Sequence, residues 1–203
     1  MRKGRFVVAS AAMLWLGVFV ATAEAADTAA HVRLYTYFVA SPSNPLEAKG
    51  GCGALVGAEY MLPGPTAKNS KRTCTIPANT PVLASPGGCV DWFPVGSKTD
   101  ADVLEARDKD CSKVKKPSVV LDGKKIAVAQ TYVKSGAYTV PVMQGSLIRT
   151  VDDTFPADAA EARVASAGWT VSFVSLKKGK HTLTLSDLVD KKVMSITFSL
   201  TVE

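Results

Sequence analysis

The stretch KVMSITFSLTVE, residues 192–203, decides the fold. Met194, Ile196, Phe198, Leu200 and Val202 alternate without a break against Ser195, Thr197, Ser199 and Thr201. Successive side chains of a strand point to opposite faces, so this run predicts a strand with one buried and one wet face. Upstream, HTLTLSDL (181–188) and GWTVSFVSL (168–176) read as strands flanking SLKKGK, where Gly179 supplies a residue free to take positive φ and a hairpin is expected. His181 falls in phase with Leu183 and Leu185, which predicts a half-buried, hydrogen-bonded imidazole. SVVLDGKKIAVAQ (118–130) contains Asp122-Gly123, the strongest short hairpin signal in the chain. TYVKSGAYTVPV (131–142) and GSLIRTV (145–151) continue the strand pattern, and DDTFPADAAEARVAS (152–166) is read as holding a short helix.

The first half of the chain is read the same way. HVRLYTYFV (31–39) predicts a strand, with Val32, Leu34 and Thr36 alternating against Arg33, Tyr35 and Tyr37. A loop rich in Pro, Gly and Ser covers 41–53, and ALVGAEYML follows. Pro77 and Pro81 make RTCTIPANTPVLA (72–84) an edge strand, or two short strands joined by a turn. SPGGCVDWFPVGSK (85–98) reads as a cysteine-bearing loop. TDADVLEARDKDCSKVKK (99–116) is the main helix candidate. Thr99 and Asp102 have capping-box spacing, acidic residues open it, lysines close it, and Pro117 is expected to stop it. Val103, Leu104 and Ala106 offer a narrow apolar stripe.

Many short strands with one or two minor helices predict an all-β fold, an Ig-like or jelly-roll β-sandwich, with a barrel as the competing topology. The chain has 203 residues and opens with Arg2, Lys3 and Arg5, an apolar run from Phe6 to about Val20, and Ala23-Glu24-Ala25. That order is a secretory signal peptide over 1–25. The apolar run is short of the ~20 residues of a membrane span, and no later stretch is apolar enough. Residues 26–203 then form a single domain, exported to the periplasm or the medium.

Removing the signal lowers the net charge from +6 to +4, since three basic residues and one acidic leave with it. That mild balance, with export, argues against nucleic acid as a partner. The sequence sets no oligomeric state. Cys52, Cys74, Cys89 and Cys111 all lie beyond the signal, and an even count in an exported chain reads as two disulfides. Three pairings are open; nearest-neighbour pairing, Cys52–Cys74 and Cys89–Cys111, asks least of the topology. The absence of any C-x-x-C pair argues against a zinc site.

Several pieces resemble a group of bacterial exported β-sandwich proteins of uncharacterised function. They are Asn44-Pro45, Gly51-Cys52, Tyr60-Met61-Leu62-Pro63-Gly64, Arg72-Thr73-Cys74-Thr75-Ile76-Pro77-Ala78, Cys89, Asp122-Gly123, Gly168-Trp169, and Leu176 to Leu183 in the form L-x-x-G-x-H-x-[IL]. Their order is kept from Asn44 to the C-terminus. The chain departs in having Tyr35 and Tyr37 where the group tends to carry tryptophan, and Lys178-Gly179 where it has Pro-Gly. The resemblance implies the fold and the compartment, and it brings no catalytic residue.

Candidate chemistry is sparse. Only His31 and His181 could act as histidine bases, and no G-x-S-x-G elbow occurs. Asp152, Asp153, Asp158 and Glu161 form the densest acidic patch, but adjacent carboxylates in a polar loop give no reason for the raised pKa a glycosidase needs. A histidine–methionine metal set is not formed either, so no cofactor is expected. Two ligand surfaces remain. Aromatics, above all Trp92, could stack a glycan. Lysines, above all Lys177, Lys178 and Lys180 with Lys113, Lys115, Lys116, Lys191 and Lys192, could hold an acidic polymer. The expected function is a non-enzymatic binding or structural module of the cell envelope or exterior; a secreted hydrolase with an unfamiliar site is the alternative.

Overall fold

The structure, a computed structural model, describes residues 23–25, 28–46, 51–66, 68–126 and 132–203. In chain order these form β1 (Ala23–Ala25), α1 (Thr28–Ala40), β2 (Ala54–Val56), β3 (Glu59–Leu62), β4 (Ser70–Ile76), β5 (Val82–Pro94), α2 (Asp100–Cys111), β6 (Val114–Leu121), β7 (Lys124–Ile126), β8 (Val133–Lys134), β9 (Tyr138–Pro141), α3 (Leu147–Val151), β10 (Glu161–Phe173), β11 (Gly179–Val189) and β12 (Lys192–Val202). One sheet runs β1-β10-β5-β3-β2, with β8 and β9 also paired to β10; the other runs β4-β12-β11-β6-β7. Two pairs, β4 with β12 and β3 with β5, are parallel. The fold is an all-β sandwich with three short helices.

The alternation of β12 is realised. Ile196, Phe198, Leu200 and Val202 are buried, while Ser199 is exposed and Thr197 and Thr201 sit at the surface. They meet Val82, Ala84, Val171 and Phe173 of the facing sheet, with Val119, Leu183 and Leu185 beside them. Each such side chain contributes about 1.5–3 kcal/mol on leaving water. The Asp122-Gly123 hairpin joins β6 to β7, and the 72–84 run resolves into β4, an edge strand, and β5. Thr99 caps α2 with a reciprocal Asp102 bond. Both nearest-neighbour disulfides form, Cys52–Cys74 and Cys89–Cys111, each with Cα atoms 5.3 Å apart.

Six readings are corrected. Residues 31–39 are helical, within α1, because Ala30, His31, Leu34, Tyr35, Phe38 and Val39 fall on one helical face and bury against Met61 and Leu83 on the outer side of the first sheet. SPGGCVDWFP is no loop but the body of β5. Its proline is accommodated where the β5–β10 register shifts between Trp169 and Val171. The helix of 99–116 stops at Cys111, and Pro117 lies inside β6. Residues 147–151 are the helix α3, not a strand, with Leu147 and Ile148 buried beside Val140 and Val164; the helix expected within 152–166 is absent, and β10 starts at Glu161. Finally, β10 and β11 belong to different sheets, so residues 174–178 cross the sandwich and do not form a hairpin turn. Leu176 is drawn into the intersheet core by that crossing. Gly179 does take φ of +134°.

The segment read as a signal peptide, 1–25, lies mostly outside the described residues; of it, Ala23–Ala25 is described and pairs with Val171–Phe173 of β10. No described helix is long and apolar enough to cross a membrane. The two disulfides indicate an oxidising, non-cytoplasmic environment.

Candidate functional site

His31 projects from α1 onto β10 and is fully buried. Its Nδ1 lies 2.9 Å from Thr170 Oγ1 and its Nε2 3.1 Å from Ser166 Oγ. Burial pushes its pKa down to about 4, so the ring is neutral near pH 7. His181, half-buried at the start of β11, has Nδ1 2.7 Å from Asp122 Oδ2 and Nε2 2.8 Å from the Lys177 carbonyl oxygen. Burial alone would lower its pKa, but the Asp122 carboxylate and the Lys177 carbonyl together raise it. Asp122 also accepts the Thr182 N–H at 2.8 Å, which ties the β6–β7 turn to β11.

The sign of this pair is set by both partners. A raised His181 pKa contributes stability below the ordinary imidazole value, lost as pH rises through the folded value. A lowered Asp122 pKa contributes above the ordinary carboxyl value, lost as pH falls through the folded one. We expect His181→Ala to cost about 1–2 kcal/mol at pH 5.5, the scale of a charged hydrogen bond at a partly exposed site, and clearly less at pH 8.5. Urea unfolding at the two pH values checks this, and an equal cost at both would contradict it.

Trp92 is half-buried; its Nε1 donates to Asp152 Oδ2 at 3.0 Å and its ring packs on the α3 cluster. It is therefore not a free stacking platform. Lys177, Lys178 and Lys180 are exposed. The structure groups the lysines at two opposite ends of the second sheet. At one end, Lys177, Lys178 and Lys180 join Lys124 and Lys125, since Asp122 bonds both Thr182 and His181. At the other, Lys113 and Lys115 of the β6 start lie beside Lys191 and Lys192, because Val114 pairs with Val189 and Lys115 with Leu188. The side chain of Lys116 lies outside what is described.

Two acidic features escaped sequence reading. Asp91 has a buried Oδ2 without a hydrogen-bond partner, and burial and then the neighbouring Asp110 carboxyl push its pKa up to about 6. The sulfurs of Cys89 and Cys111 lie close to it, but both are committed to their disulfide.

Asp187 is the other. It follows Leu183 and Leu185 at strand spacing, so the alternation of β11 carries a carboxyl inward to 5 % exposure. That phase was the readable signal. Asp187 lies against Gly87 of the facing sheet, where a Cβ would come within 2.8 Å of its own Cβ. Burial pushes its pKa up to about 6, with its own backbone N–H pulling weakly the other way, and Oδ1 has no partner.

Asp187 lines a partly open cleft of about 110 Å³ with Tyr35, Phe38, Leu46, Ser85, Gly87 and Val90. Tyr35 Oη is 3.1 Å from Ser85 Oγ, and Ser85 Oγ donates to the Trp169 carbonyl at 3.0 Å, so Tyr35 is the donor to Ser85. Burial raises the Tyr35 pKa and keeps the phenol protonated. Those hydroxyls are mutually engaged, and of the side chains lining the cleft only Asp187 has a buried polar atom without a partner. No family model matches the chain, and no curated protein or solved structure is significantly similar to it.

Proposed function

We propose that the chain is a non-enzymatic binding module of the bacterial cell envelope or exterior, exported through a cleaved signal peptide, with an acidic polymer as its macromolecular partner. The observation that carries the non-enzymatic reading is that both imidazoles of the chain have both ring nitrogens hydrogen-bonded by the protein itself. A general base must reach the proton it takes from a substrate, and His31 is fully buried beneath α1 while both nitrogens of His181 are held by acceptors, the Asp122 carboxylate and the Lys177 carbonyl. The two lysine groups favour a polyanion over a glycan, since none of Tyr35, Tyr37, Tyr60, Trp92, Tyr132, Tyr138 and Trp169 is an exposed platform. The resemblance to exported bacterial sandwiches supports the compartment.

The test is a polyanion and glycan array on the mature domain across a salt series. Heparin or dextran sulfate should bind at low salt and be released as the Debye length shrinks to about 3 Å near 1 M. The triple substitution Lys177→Glu, Lys178→Glu and Lys180→Glu should weaken low-salt binding about tenfold or more, and the difference from wild type should vanish at high salt. Binding to a neutral glycan that ignores salt would reject the polyanion partner.

One observation favours the second reading, a hydrolase. Asp91, raised by burial and by Asp110, resembles a carboxyl pair sharing a proton. Hydrolysis in an exported-substrate panel, abolished by Asp91→Asn, would establish that reading in place of the first.

A further inference from the structure

We propose that the cleft between α1, β5 and β11 binds a small primary alkylammonium ion, with its ammonium group on Asp187 and its alkyl chain against Tyr35, Phe38 and Leu46. The inference rests on the binding-module reading and adds a second ligand class at a site apart from Lys177, Lys178 and Lys180, one residue along β11 from the Leu188–Lys115 pair.

The chemistry of the lining selects the ligand. A carboxylate withdrawn from water is unfavourable unless a donor or a cation compensates it. Asp187 Oδ1 has neither, and no ion pair among the described residues includes it. An anion would be repelled. A sugar needs several converging hydrogen-bonding groups, and here the hydroxyls of Tyr35 and Ser85 are already bonded to each other and to the Trp169 carbonyl. A calcium ion would take six to eight oxygens, roughly, where the lining of the cleft holds a single carboxylate.

An ammonium group gives that carboxylate a compensating charge and a charge-assisted hydrogen bond. Tyr35, Phe38, Leu46 and Val90 supply apolar surface that suits a hydrocarbon tail. Size sets an upper limit. A volume of about 110 Å³ holds three or four water-sized groups at ~30 Å³ each. Propylammonium has that size. The space exists because Gly87 and Gly88 carry no side chain where Asp187 and Tyr35 approach β5 from its two faces. Tyr35 is the other titratable group facing the cleft, and it stays neutral across the working pH range.

The experiment is titration calorimetry and chemical-shift mapping of the full mature domain with propylammonium, against 1-propanol and propionate as neutral and anionic matches. Propylammonium should bind at least about tenfold more tightly than propanol, and propionate should not bind. Affinity should fall about tenfold from pH 7.5 to pH 5, as a carboxyl titrating near 6 becomes about nine-tenths protonated. Asp187→Asn should abolish the preference for the amine while remaining folded, since it removes a buried charge and keeps the shape. Shifts confined to the cleft with Nα-acetyl-lysine methylamide in place of propylammonium would assign the cation to a lysine side chain of a partner.

Equal binding of propylammonium and propanol, a pH-independent affinity, or unchanged binding by Asp187→Asn overturns the proposal. The wild-type comparisons stand even if the variant misfolds. Heparin binding that persists when propylammonium fails rejects this inference alone, whereas loss of heparin binding rejects the polyanion reading and leaves the cleft result intact.

Discussion

Gly88→Ala should destabilise the protein by about 3 kcal/mol or more, because overpacking at the middle of a sheet cannot relax. A Cβ at Gly88 would sit inside the contact distance of the Tyr35 hydroxyl, 2.7 Å from the Ala167 carbonyl oxygen and 3.0 Å from Gly168 Cα. The phenol could swing away only by breaking its bond to Ser85 and lifting α1, whose buried face carries Leu34, Tyr35 and Phe38. The carbonyl belongs to the strand paired with β5 and has nowhere to go. Tyr35→Phe alone should cost about 1 kcal/mol, the net worth of one hydrogen bond. In combination it should recover part of the Gly88→Ala loss, because one of the clashing atoms is gone, while the backbone clash remains. Denaturant unfolding of the two single variants and the double variant reads this coupling directly. A Gly88→Ala variant within about 1 kcal/mol of wild type would mean that α1 does not press on β5 as described.

Removing both disulfides has the other large effect. Each bridge spans 22 residues of sequence, and closing a loop of that size restricts the unfolded chain by about 3 kcal/mol on the chain-entropy estimate. Two together approach the whole stability of an ordinary domain, about 5–15 kcal/mol. We therefore expect the fully reduced domain to be largely unfolded at 37 °C. The Cys89→Ala, Cys111→Ala pair should also loosen α2, which is held to β5 by that bridge and to the segment just after β8 by the Arg107 guanidinium bonded to the Ser135 carbonyl. The Cys52→Ala, Cys74→Ala pair should instead open the edge of the second sheet, since Cys74 is buried on β4 and pairs with Leu200. Thermal unfolding followed at 222 nm, with and without reductant, separates these. A reduced domain as stable as the oxidised one would contradict both.

These predictions divide between what was readable and what was not. The capping residues of α2, the Asp122-Gly123 turn and the disulfide partners were legible because each depends on chemistry within about twenty residues. Residues 31–39 were misread because two periodicities coexist there. Val32, Leu34 and Thr36 satisfy a strand, while Ala30, Leu34, Tyr35 and Phe38 satisfy a helix, and the choice falls to whichever surface the segment packs on. Ser85-Pro86-Gly87-Gly88 has the composition of a loop. It becomes strand because Tyr35 and Asp187 need backbone without side chains at that spot, a requirement set by residues fifty and a hundred positions away.

The candidate site followed the same division. His181 was readable as a structural histidine from its phase with Leu183 and Leu185, and its two hydrogen bonds agree with that. Asp187 shares the phase, but an inward carboxylate without a partner is unfavourable, and that cost weighs against the signal the alternation carries.

By itself the sequence determined that this chain is a disulfide-bonded β-sandwich, because period-two alternation and turn chemistry are local properties of neighbouring residues. Only the tertiary structure decided that α1 is a helix, that residues 174–178 cross between sheets, and that Asp187 faces Tyr35 across two glycines. Those outcomes depend on which surfaces meet, and burial energies between distant segments are not written in any one of them.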